Sequence, residues 1–386
     1  MPEEIKILMF NNEFPPLGGG TGTVNLELFN NLKTNNNIKI DLITSAFGKK
    51  KEIIKFSDNI TIYKYPVKKK DIHHASNSEL LRYALKATIA GLKLCKKNNY
   101  DLTMVWSAVP AGLPALILKI FKKIPYSVRV GGPDIPGFEK RYDFIYKIIS
   151  PFIKTVWKNA DSIIAKCKTE KEMIQKINPE IKVKIIYNGV DTKKFKPGKK
   201  KTNKNIRIIS PARLIKRKGQ YTLIDAVSKL KNDGIKITAD LVGEGDEKNA
   251  YIKYAEKKNV SKEIIFSGYV PGEKMPEKYN EADIFVLASY NEGMSNALLE
   301  AVACGLPVAV TDVGGTEEIV DADNGFIFKP GDANALYNIL KNMIKNKELI
   351  RKYGQNSVEK AKKFNISNTV GEYLKLFQEI KNKSEK

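Results

Sequence analysis

Two glutamates, Glu292 and Glu300, stand eight residues apart on either side of a segment that is typical of a helix start. Ser295 and Asn296 are good N-cap residues, and residues 297–303 favour a helix. Because the first turn of a helix offers free backbone N–H groups and a positive dipole end, it is suited to bind an anion. The pattern predicts an anionic ligand with a carboxylate near each end, such as a sugar joined to a nucleoside diphosphate. Two solvated surface charges would give the same spacing.

Basic residues and glycines follow other predicted strands. Arg213 and Lys218 come after a strand predicted at 206–210, and two cations there suit a diphosphate, with a solvated basic loop as the alternative. Three consecutive glycines at 18–20 follow the first predicted strand, where backbone amides can approach a phosphate or sugar closely. These loops are therefore candidates for two sides of a binding site.

Two glycine-containing turns follow later strands of the second half. Gly243 begins a close-approach turn in Gly-Glu-Gly. Residues 268–272, Gly-Tyr-Val-Pro-Gly, could offer the backbone groups of Tyr269 and Val270 to a nucleobase. A plain turn explains this second segment equally well.

The elements that must position these loops alternate between strand-like and helical segments, which is the pattern of a parallel α/β fold. In the first half the predicted strands are 5–10, 38–44, 60–65, 102–106, 126–130, 162–165 and 183–186. In the second half they are 206–210, 238–242, 264–268, 283–287, 307–311 and 325–328. A last amphipathic helix is predicted at about 366–380.

A polar stretch rich in Lys, Pro, Gly and Asn at 193–205 separates the two halves and is the best candidate for a linker. We therefore expect two separately wound parallel-sheet domains, 1–190 and 191–362, and a terminal segment, 363–386. Ligands of open parallel sheets bind beyond the carboxyl ends of the strands. Two such domains facing one another would hold a ligand between them.

Composition and charge limit the class of protein. The chain has 386 residues and a formal net charge of +23, with 31 basic and 17 acidic groups in residues 1–190. Segments 80–97, 116–123 and 146–158 mix Lys with large apolar residues, which suits an anionic membrane surface unless the apolar sides pack on a sheet. The basic runs lack the interleaved aromatic residues of a nucleic-acid surface, and no run of about 18 apolar residues predicts a transmembrane helix. Three separated cysteines indicate a reduced, cytoplasmic compartment without a zinc site.

Four motifs, in this order and spacing, resemble glycosyltransferase family 4 and the wider GT-B superfamily, and the resemblance covers nearly the whole chain. They are the E-x7-E of residues 292–300, Arg213 with Lys218-Gly219, Asn-Gly-Val-Asp at 188–191, and Cys-Gly-Leu-Pro-Val-Ala-Val-Thr-Asp-Val-Gly-Gly at 304–315. The resemblance implies an α/β fold of GT-B type, with two Rossmann-like domains facing across a cleft. The first would bind the acceptor and the second the nucleotide-sugar, and a C-terminal helix would cross back to the first.

The same resemblance implies a retaining hexosyl transfer from a nucleotide-diphosphate sugar, with no metal ion or other cofactor. Arg213 and Lys218 would neutralise the leaving diphosphate, and Glu292 would contact hydroxyls of the donor sugar. Glu300 would hold the ribose. The amides of Met294, Ser295 and Asn296 would contact sugar and phosphate, and Gly19 and Gly20 would approach the donor from the other domain. Gly293 and the turn residues named above, Gly243, Tyr269 and Val270, complete the predicted donor-binding set.

The first half departs from the family pattern, because many relatives place a His after its fourth or fifth strand. Here the two histidines, His73 and His74, lie in a Lys-rich loop outside any motif. The expected region instead contains Asp134, which would contact the donor sugar or accept the acceptor proton as a catalytic group, with capping of a turn as the alternative. Arg129 would contact an acceptor phosphate or pair with an internal carboxylate.

Asp321-Ala-Asp323 spells the D-x-D with which other glycosyltransferases hold a divalent metal ion. It precedes Asn324-Gly325 instead of following a strand, so turn chemistry is the better interpretation. The sequence therefore predicts no metal site.

The resemblance favours a uridine nucleotide. The basic, apolar first half fits a glycan or polyprenyl-linked acceptor, in the synthesis of a cell-surface polysaccharide or glycoconjugate. We expect a cytoplasmic protein, peripheral at the inner face of the cell membrane. Two alternatives stay open, of which the epimerase shares the two-domain architecture. A sugar-nucleotide 2-epimerase would need acid and base residues that no His supplies here, and a non-catalytic nucleotide-sugar or membrane-surface binding protein would not need both Arg213 and Lys218.

Overall fold

The computed structural model describes residues 4–72, 75–139, 142–198 and 205–385. The chain forms two compact units: unit 1 comprises residues 1–188 together with 366–386, and unit 2 comprises residues 189–365. His73, His74 and part of the predicted linker at 193–205 lie outside the described residues.

Unit 1 is built on an eight-stranded sheet. Its strands are β1 (Ile5–Phe10), β2 (Ile38–Ala46), β3 (Glu52–Lys55), β4 (Ile60–Pro66), β5 (Leu102–Trp106), β6 (Tyr126–Arg129), β7 (Ser162–Ala165) and β8 (Val183–Ile185). The helices between them are α1 (Gly20–Leu32), α2 (Asn77–Leu94), α3 (Gly112–Lys122), α4 (Asp143–Lys158) and α5 (Lys168–Ile177).

The strand order of this sheet is β3-β4-β2-β1-β5-β6-β7-β8. All pairs are parallel except β3 with β4 at the edge. Strands β1 and β5 are buried along nearly their whole length, as expected where helices cover both faces of a parallel sheet. The winding direction reverses between β1 and β5, so the loops that follow these two strands meet at the carboxyl edge of the sheet.

Unit 2 is built on a six-stranded parallel sheet. Its strands are β9 (Ile206–Pro211), β10 (Ile237–Val242), β11 (Ile264–Gly268), β12 (Ile284–Leu287), β13 (Val308–Thr311) and β14 (Gly325–Phe328). Its helices are α6 (Gln220–Asn232), α7 (Lys248–Lys257), α8 (Met275–Asn280), α9 (Asn296–Ala303), α10 (Thr316–Ile319), α11 (Ala333–Lys345) and α12 (Lys347–Lys363). The order is β11-β10-β9-β12-β13-β14, so the winding reverses between β9 and β12.

The last helix, α13 (Ile366–Ser384), belongs to unit 1. Its buried side carries Val370, Tyr373 and Phe377, which pack with apolar residues of β1 and α1. Lys381 lies on the same side and donates from Nζ to the Glu4 carbonyl oxygen at 3.3 Å. The end of the chain thus completes the core of the first sheet.

All thirteen predicted strands are present, and their ends differ from the prediction by no more than two residues. The predicted α/β class with two parallel sheets is therefore confirmed. The prediction missed β3, in which all four residues are exposed and no apolar side faces a core. Among the described residues, no helix combines the length and the apolar character needed to cross a bilayer.

Candidate active site

The carboxyl edge of the unit 2 sheet, between β9 and β12, gathers most of the charged residues predicted from the sequence. The loop after β9 carries Arg213 and Lys218, and the loop after β12 carries Glu292. A backbone hydrogen bond joins the two loops, from Tyr290 N to the Arg217 carbonyl oxygen at 2.8 Å. This is the reversal point of the sheet, where ligands of open α/β folds bind.

Gly219 fixes the end of the β9 loop. Its φ of +65° is in the left-handed region, and a Cβ there would lie 2.0 Å from the Ala288 carbonyl oxygen. The preceding residues, Lys216–Lys218, form a short 3-10 turn. The tight contact between Gly219 and Ala288 therefore holds the Lys218 backbone directly beside the β12 loop.

Lys218 and Glu292 form a partly buried ion pair across the two loops. Lys218 donates from Nζ to Oε1 of Glu292 at 2.5 Å, and Ser289 donates its hydroxyl to the same oxygen at 2.7 Å. Burial opposes ionisation of Glu292, but the charges of Lys218 and Arg217 and the hydrogen bonds outweigh it and hold the pKa of Glu292 below its usual value. Glu292 is therefore an anion that orients a lysine at the reversal point.

Arg213 is partly exposed on the same β9 loop. Gly243, at the start of the β10 loop, supports this region: with φ at +136°, a Cβ on it would lie 2.1 Å from the Ala212 carbonyl oxygen. The close approach predicted for Gly243 thus exists, and it is between two loops of the protein itself. Its predicted contact with a ligand stays a prediction.

Helix α9 begins at Asn296, and Ser295 is its N-cap residue, as predicted. The Ser295 side chain accepts from the Leu298 amide at 3.3 Å. The next loop braces the segment before the helix, because Gly315 N donates to the Gly293 carbonyl oxygen at 2.7 Å. The first turn of α9 and the backbone of residues 293–296 are therefore held at the sheet edge near Glu292.

Glu300, one turn into α9, is held by a tyrosine that the sequence did not indicate. Tyr279 of α8 donates its hydroxyl to Oε2 of Glu300 at 2.8 Å. Burial and the charge of Glu300 raise the pKa of Tyr279 well above its usual value, so the phenol remains a donor. Tyr279 is fully buried while Glu300 is partly exposed, so a core side chain fixes the direction of a carboxylate at the surface.

The predicted nucleobase segment follows β11, which β10 and β9 separate from β12. Gly268 has φ at +71°, which the turn requires, and Tyr269 is largely exposed. Val270 is half-buried. Both interpretations of the sequence, a nucleobase contact and a plain turn, fit this geometry.

In unit 1 the glycines after β1 lie at the reversal point between β1 and β5. Gly18 has φ at +94°, and its amide donates to the Ile72 carbonyl oxygen at 2.8 Å. Gly19 precedes α1, which starts at Gly20, and its amide donates to the Glu13 carboxylate at 3.2 Å. A Cβ on Gly19 would meet nothing within 4 Å, so the packing of unit 1 does not require glycine there.

Asp134 is buried and bound to the backbone on both sides. Its Oδ2 accepts from Ala108 N and its Oδ1 from Gly131 N, each at 2.6 Å. Burial raises the pKa of Asp134 above its usual value, against the opposing effects of these amides and of Lys166. The contacts match the turn-capping alternative, since the side chain ties the loop after β5 to the loop after β6. Its catalytic role stays a prediction.

Arg129 is also buried, with its guanidinium 4.7 Å from the centre of the Trp106 ring. It donates to the side-chain oxygen of Asn188, at the end of the first part of unit 1. This partner is an amide, not the internal carboxylate considered from the sequence. Contact with an acceptor phosphate stays a prediction.

The D-x-D sequence forms a turn, as expected. Asp323 N donates to Oδ1 of Asp321 at 2.9 Å, and Lys360 pairs with the same carboxylate. Across the described ranges, no group of three or more His, Cys, Asp or Glu side chains is arranged to hold a metal ion.

Known proteins match both units. The family model described as Glycosyltransferase Family 4 matches residues 18–194, and the one described as Glycosyl transferases group 1 matches residues 191–360. An uncharacterized glycosyltransferase of Methanocaldococcus jannaschii is 26% identical, over 98% of this chain and 100% of its own length. The N-acetylgalactosamine-N,N'-diacetylbacillosaminyl-diphospho-undecaprenol 4-alpha-N-acetylgalactosaminyltransferase of Campylobacter jejuni is 29% identical, over 70% of this chain and 74% of its own length. Anabaena HepE, solved in complex with UDP and glucose, superposes with a TM-score of 0.75 at 20% identity, over 97% of this chain and 100% of that chain.

Two parallel α/β units, matched over residues 18–360 by these models and nearly over their full length by the Methanocaldococcus relative and the Anabaena structure, define a glycosyltransferase with the GT-B type of fold. The chain belongs to glycosyltransferase family 4, as its E-x7-E and basic-loop motifs predicted.

Proposed function

We propose that the protein is a retaining hexosyltransferase that uses a uridine diphosphate sugar and needs no metal ion. The observation that carries this proposal is the ion pair of Lys218 with Glu292 at the reversal point of unit 2, on the loop that also carries Arg213. This pair places a cation and an anion side by side at the ligand edge of the sheet. A diphosphate would be met by the cations, and the sugar attached to it by the carboxylate.

In the proposed reaction, the bond between the anomeric carbon and the donor phosphate oxygen breaks, and its electron pair stays on the phosphate. The acceptor hydroxyl oxygen bonds to the same face of the anomeric carbon, and its proton passes to the departing phosphate oxygen. Negative charge therefore grows on the diphosphate while positive charge grows on the sugar. Lys218 and Arg213 stabilise the first, and Glu292 stabilises the second.

Retention by this front-face route is supported by what the two carboxylates do. A retaining enzyme with a carboxylate nucleophile needs that group beside the anomeric carbon with its partner about 5 Å away. Here Glu292 is engaged by Lys218 and Ser289, and Glu300 by Tyr279. Both carboxylates are held as electrostatic and binding groups, for which a role on donor hydroxyls is the better fit.

We propose that Glu300 binds the ribose and that the first turn of α9 binds the sugar–phosphate junction. The support is the position of Glu300 one turn after the N-terminus of α9, where backbone N–H groups favour an anion. UDP in the Anabaena structure supports uridine as the base. Two protein cations would neutralise the diphosphate, a task that a divalent metal performs in other transferases.

For the acceptor we propose a glycan or a polyprenyl-linked saccharide, in the synthesis of a cell-surface polysaccharide or glycoconjugate. The name of the Campylobacter relative specifies a diphospho-undecaprenol acceptor, which supports a lipid-linked substrate. We further propose that the protein works peripherally at an anionic membrane surface on the cytoplasmic side. The excess of basic groups in residues 1–190 supports this.

The test is to incubate the full chain with UDP- and GDP-linked hexoses and N-acetylhexosamines, in EDTA, with oligosaccharide and polyprenyl-diphosphate acceptors. Release of nucleoside diphosphate is followed, and the anomeric configuration of the product is read by NMR. We expect release of UDP that EDTA does not reduce, and a product with the anomeric configuration of the donor.

A strict requirement for magnesium or manganese would overturn metal independence, and inversion would overturn the front-face route. Tight nucleotide binding without turnover would favour a binding protein. Conversion of the donor to its 2-epimer without transfer would favour the epimerase.

A further inference from the structure

We propose that three adjacent helices of unit 1, α2, α3 and α4, form a docking face for a bilayer that contains anionic phospholipid. We call this surface the basic face. The inference deepens the proposed function by naming the surface that binds the membrane. It rests on that function only because a lipid-linked acceptor would explain why the protein binds a membrane. Helix α3 contacts α2 on one side and α4 on the other, so the three helices cover one continuous region of the sheet.

Large apolar side chains are exposed on all three helices. Half of the fourteen exposed large hydrophobic residues in the described part of the chain lie here, each between 52% and 74% exposed. They are Leu81, Leu85 and Ile89 of α2, Ile120 and Phe121 of α3, and Phe144 and Ile148 of α4. Single exposed apolar residues are ordinary, but seven on three neighbouring helices are not.

Helix α2 shows that packing on the sheet does not account for these residues. Its buried side, with Tyr83 and Ala87, already faces the core of unit 1. Leu81, Leu85 and Ile89 recur every four residues and so form a second apolar stripe, on the solvent side of the helix. Packing on the sheet therefore accounts for only part of the apolar residues of α2, and the second stripe stays exposed.

The charge of the basic face complements an anionic surface. The three helices carry eight Lys or Arg residues and two acidic residues. One of the acids, Glu79, is buried and caps the start of α2, which leaves Asp143 as the exposed acid on these helices. The basic residues are Arg82, Lys86, Lys93, Lys119, Lys122, Lys147, Lys154 and Lys158.

The mixture of residues favours a bilayer over a protein partner. Lysine is depleted in the cores of protein–protein interfaces, because its ammonium group is costly to desolvate. At a membrane the same lysines remain hydrated among headgroups while Leu, Ile and Phe enter the acyl boundary. Seven of the eight basic residues of the basic face are lysines, interspersed with the exposed apolar residues.

The test is flotation of the full chain with vesicles of phosphatidylcholine alone and with added phosphatidylglycerol. We expect binding to the anionic vesicles that falls with salt. A double substitution of exposed apolar residues, Leu85→Ser with Phe144→Ser, should lower the bound fraction at least tenfold. A double charge substitution, Lys93→Gln with Lys147→Gln, should lower the partition constant by about fivefold per lysine. Ile53→Ser, at a residue equally exposed on edge strand β3, is the matched control and should bind as the wild type.

Donor hydrolysis in free solution is measured for every variant, because none of these residues belongs to the proposed donor site. Retained hydrolysis with lost flotation supports the basic face, and an inactive protein that still floats would contradict the proposed function alone. Equal or absent binding to the two vesicle types would overturn the membrane inference. Binding lost in Ile53→Ser but kept in the helix variants would place the docking surface elsewhere.

Discussion

Charged side chains at the carboxyl edges of the two sheets are held by different kinds of partner. At the reversal point of unit 2, a charged side chain faces one of opposite sign, Lys218 against Glu292. In unit 1, the buried carboxylate of Asp134 is saturated by two backbone amides. A side-chain ion pair at a loop mouth can exchange a partner for a ligand, whereas a carboxylate that replaces missing backbone hydrogen bonds sets the shape of a loop. Carboxylates at the carboxyl edges of the two sheets are therefore held differently, by a cation in unit 2 and by the backbone in unit 1, which predicts a binding role for the first and an architectural role for the second.

The exposed apolar residues divide in the same way. Of the fourteen large ones in the described residues, eleven belong to unit 1 and three to unit 2. Two of those three, Tyr269 and Tyr290, are on loops at the carboxyl edge of the unit 2 sheet. The contrast agrees with the two proposals made above, a donor site in unit 2 and a membrane-facing surface in unit 1.

The strongest way to break this contrast is to remove Lys218. Lys218→Ala should lower turnover of a UDP-sugar by about 10²- to 10³-fold, because a fixed group that stabilises transition-state charge is lost. Lys216→Ala is the matched control, since Lys216 lies in the same turn but is 83% exposed. Initial rates at saturating donor measure the effect.

The same substitution removes the cation that contacts Glu292 directly, and breaking a buried pair destabilises the fold. A double variant, Lys218→Ala with Glu292→Gln, should recover thermal stability without recovering turnover. Recovery of both would show that the ion pair is structural, and unit 2 would then resemble unit 1.

The contrast also predicts that Asp134 contributes to stability more than to chemistry. Asp134→Ala should lower the free energy of unfolding by about 1–3 kcal/mol for the buried Ala108 amide left without an acceptor, and by less for the partly buried Gly131 amide. Both tryptophans of the chain, Trp106 and Trp157, belong to unit 1, so denaturant unfolding followed by their fluorescence reports this unit. Asp134→Asn, which keeps one acceptor oxygen, should lose less. Wild-type stability with abolished turnover would instead support the catalytic role predicted from the sequence.

Tyr279 tests whether Glu300 needs a fixed direction. Tyr279→Phe keeps the buried ring and removes one hydrogen bond to a carboxylate, which is worth about 1.5–3 kcal/mol when fully lost. We expect the KM for the UDP-sugar to rise about tenfold with kcat little changed, and preference over the 2'-deoxyribose analogue to fall. Tyr83→Phe is the control, because Tyr83 is equally buried and donates to the Ile43 carbonyl oxygen in unit 1. If the ratio of the KM for the UDP-sugar to the KM for its 2'-deoxyribose analogue is unchanged, Tyr279 does not contribute to ribose binding.

The ion pair of unit 2 also predicts a pH dependence. The pKa of Glu292 is lowered in the folded state, so the pair stabilises the fold above the unfolded value near 4.5. That stability is lost as the pH falls below 4.5 through the folded-state pKa. Below this pH, the free energy of unfolding measured by calorimetry should therefore fall less with pH for Glu292→Gln than for the wild type. Glu372→Gln, on the exposed side of α13, should show the same pH dependence as the wild type. Parallel curves for the wild type and Glu292→Gln would contradict the pKa assignment.

The fold was predictable because burial leaves a local pattern in the sequence. Each strand with a covered face is a short apolar run between turn signals, which is why thirteen were found within two residues of their ends. Strand β3 was not found, because its residues are all exposed and their order carries no core-facing alternation. Strand β3 forms because the edge of β4 offers it hydrogen bonds, and this pairing is not visible in the local sequence.

The site was predictable as a set of residue types and not as a set of contacts. Lys218 and Glu292 are 74 residues apart in sequence, and their pairing depends on β9 lying beside β12. Tyr279 was missed for the same reason: a buried tyrosine needs a partner for its hydroxyl, but nothing near it in sequence says that the partner is Glu300. Asp134 shows the converse, since an aspartate between glycines and prolines signals a turn as well as it signals catalysis.

The smallest effect is expected at Gly19. It lies beside Gly18 in one loop, and we expect Gly18 to be needed for the fold and Gly19 for binding. Gly18 is required by its left-handed φ, but a methyl group on Gly19 meets no atom of unit 1 within 4 Å. Gly19→Ala should therefore unfold as the wild type does and yet lower donor turnover a few-fold, because the methyl group would intrude where a ligand approaches the backbone. Gly371→Ala, which is equally unobstructed but lies inside α13, should leave turnover unchanged and raise the free energy of unfolding by up to about 1 kcal/mol through helix propensity. Unaltered turnover in Gly19→Ala would remove the predicted donor contact, and a loss of stability would make Gly19 architectural like its neighbour.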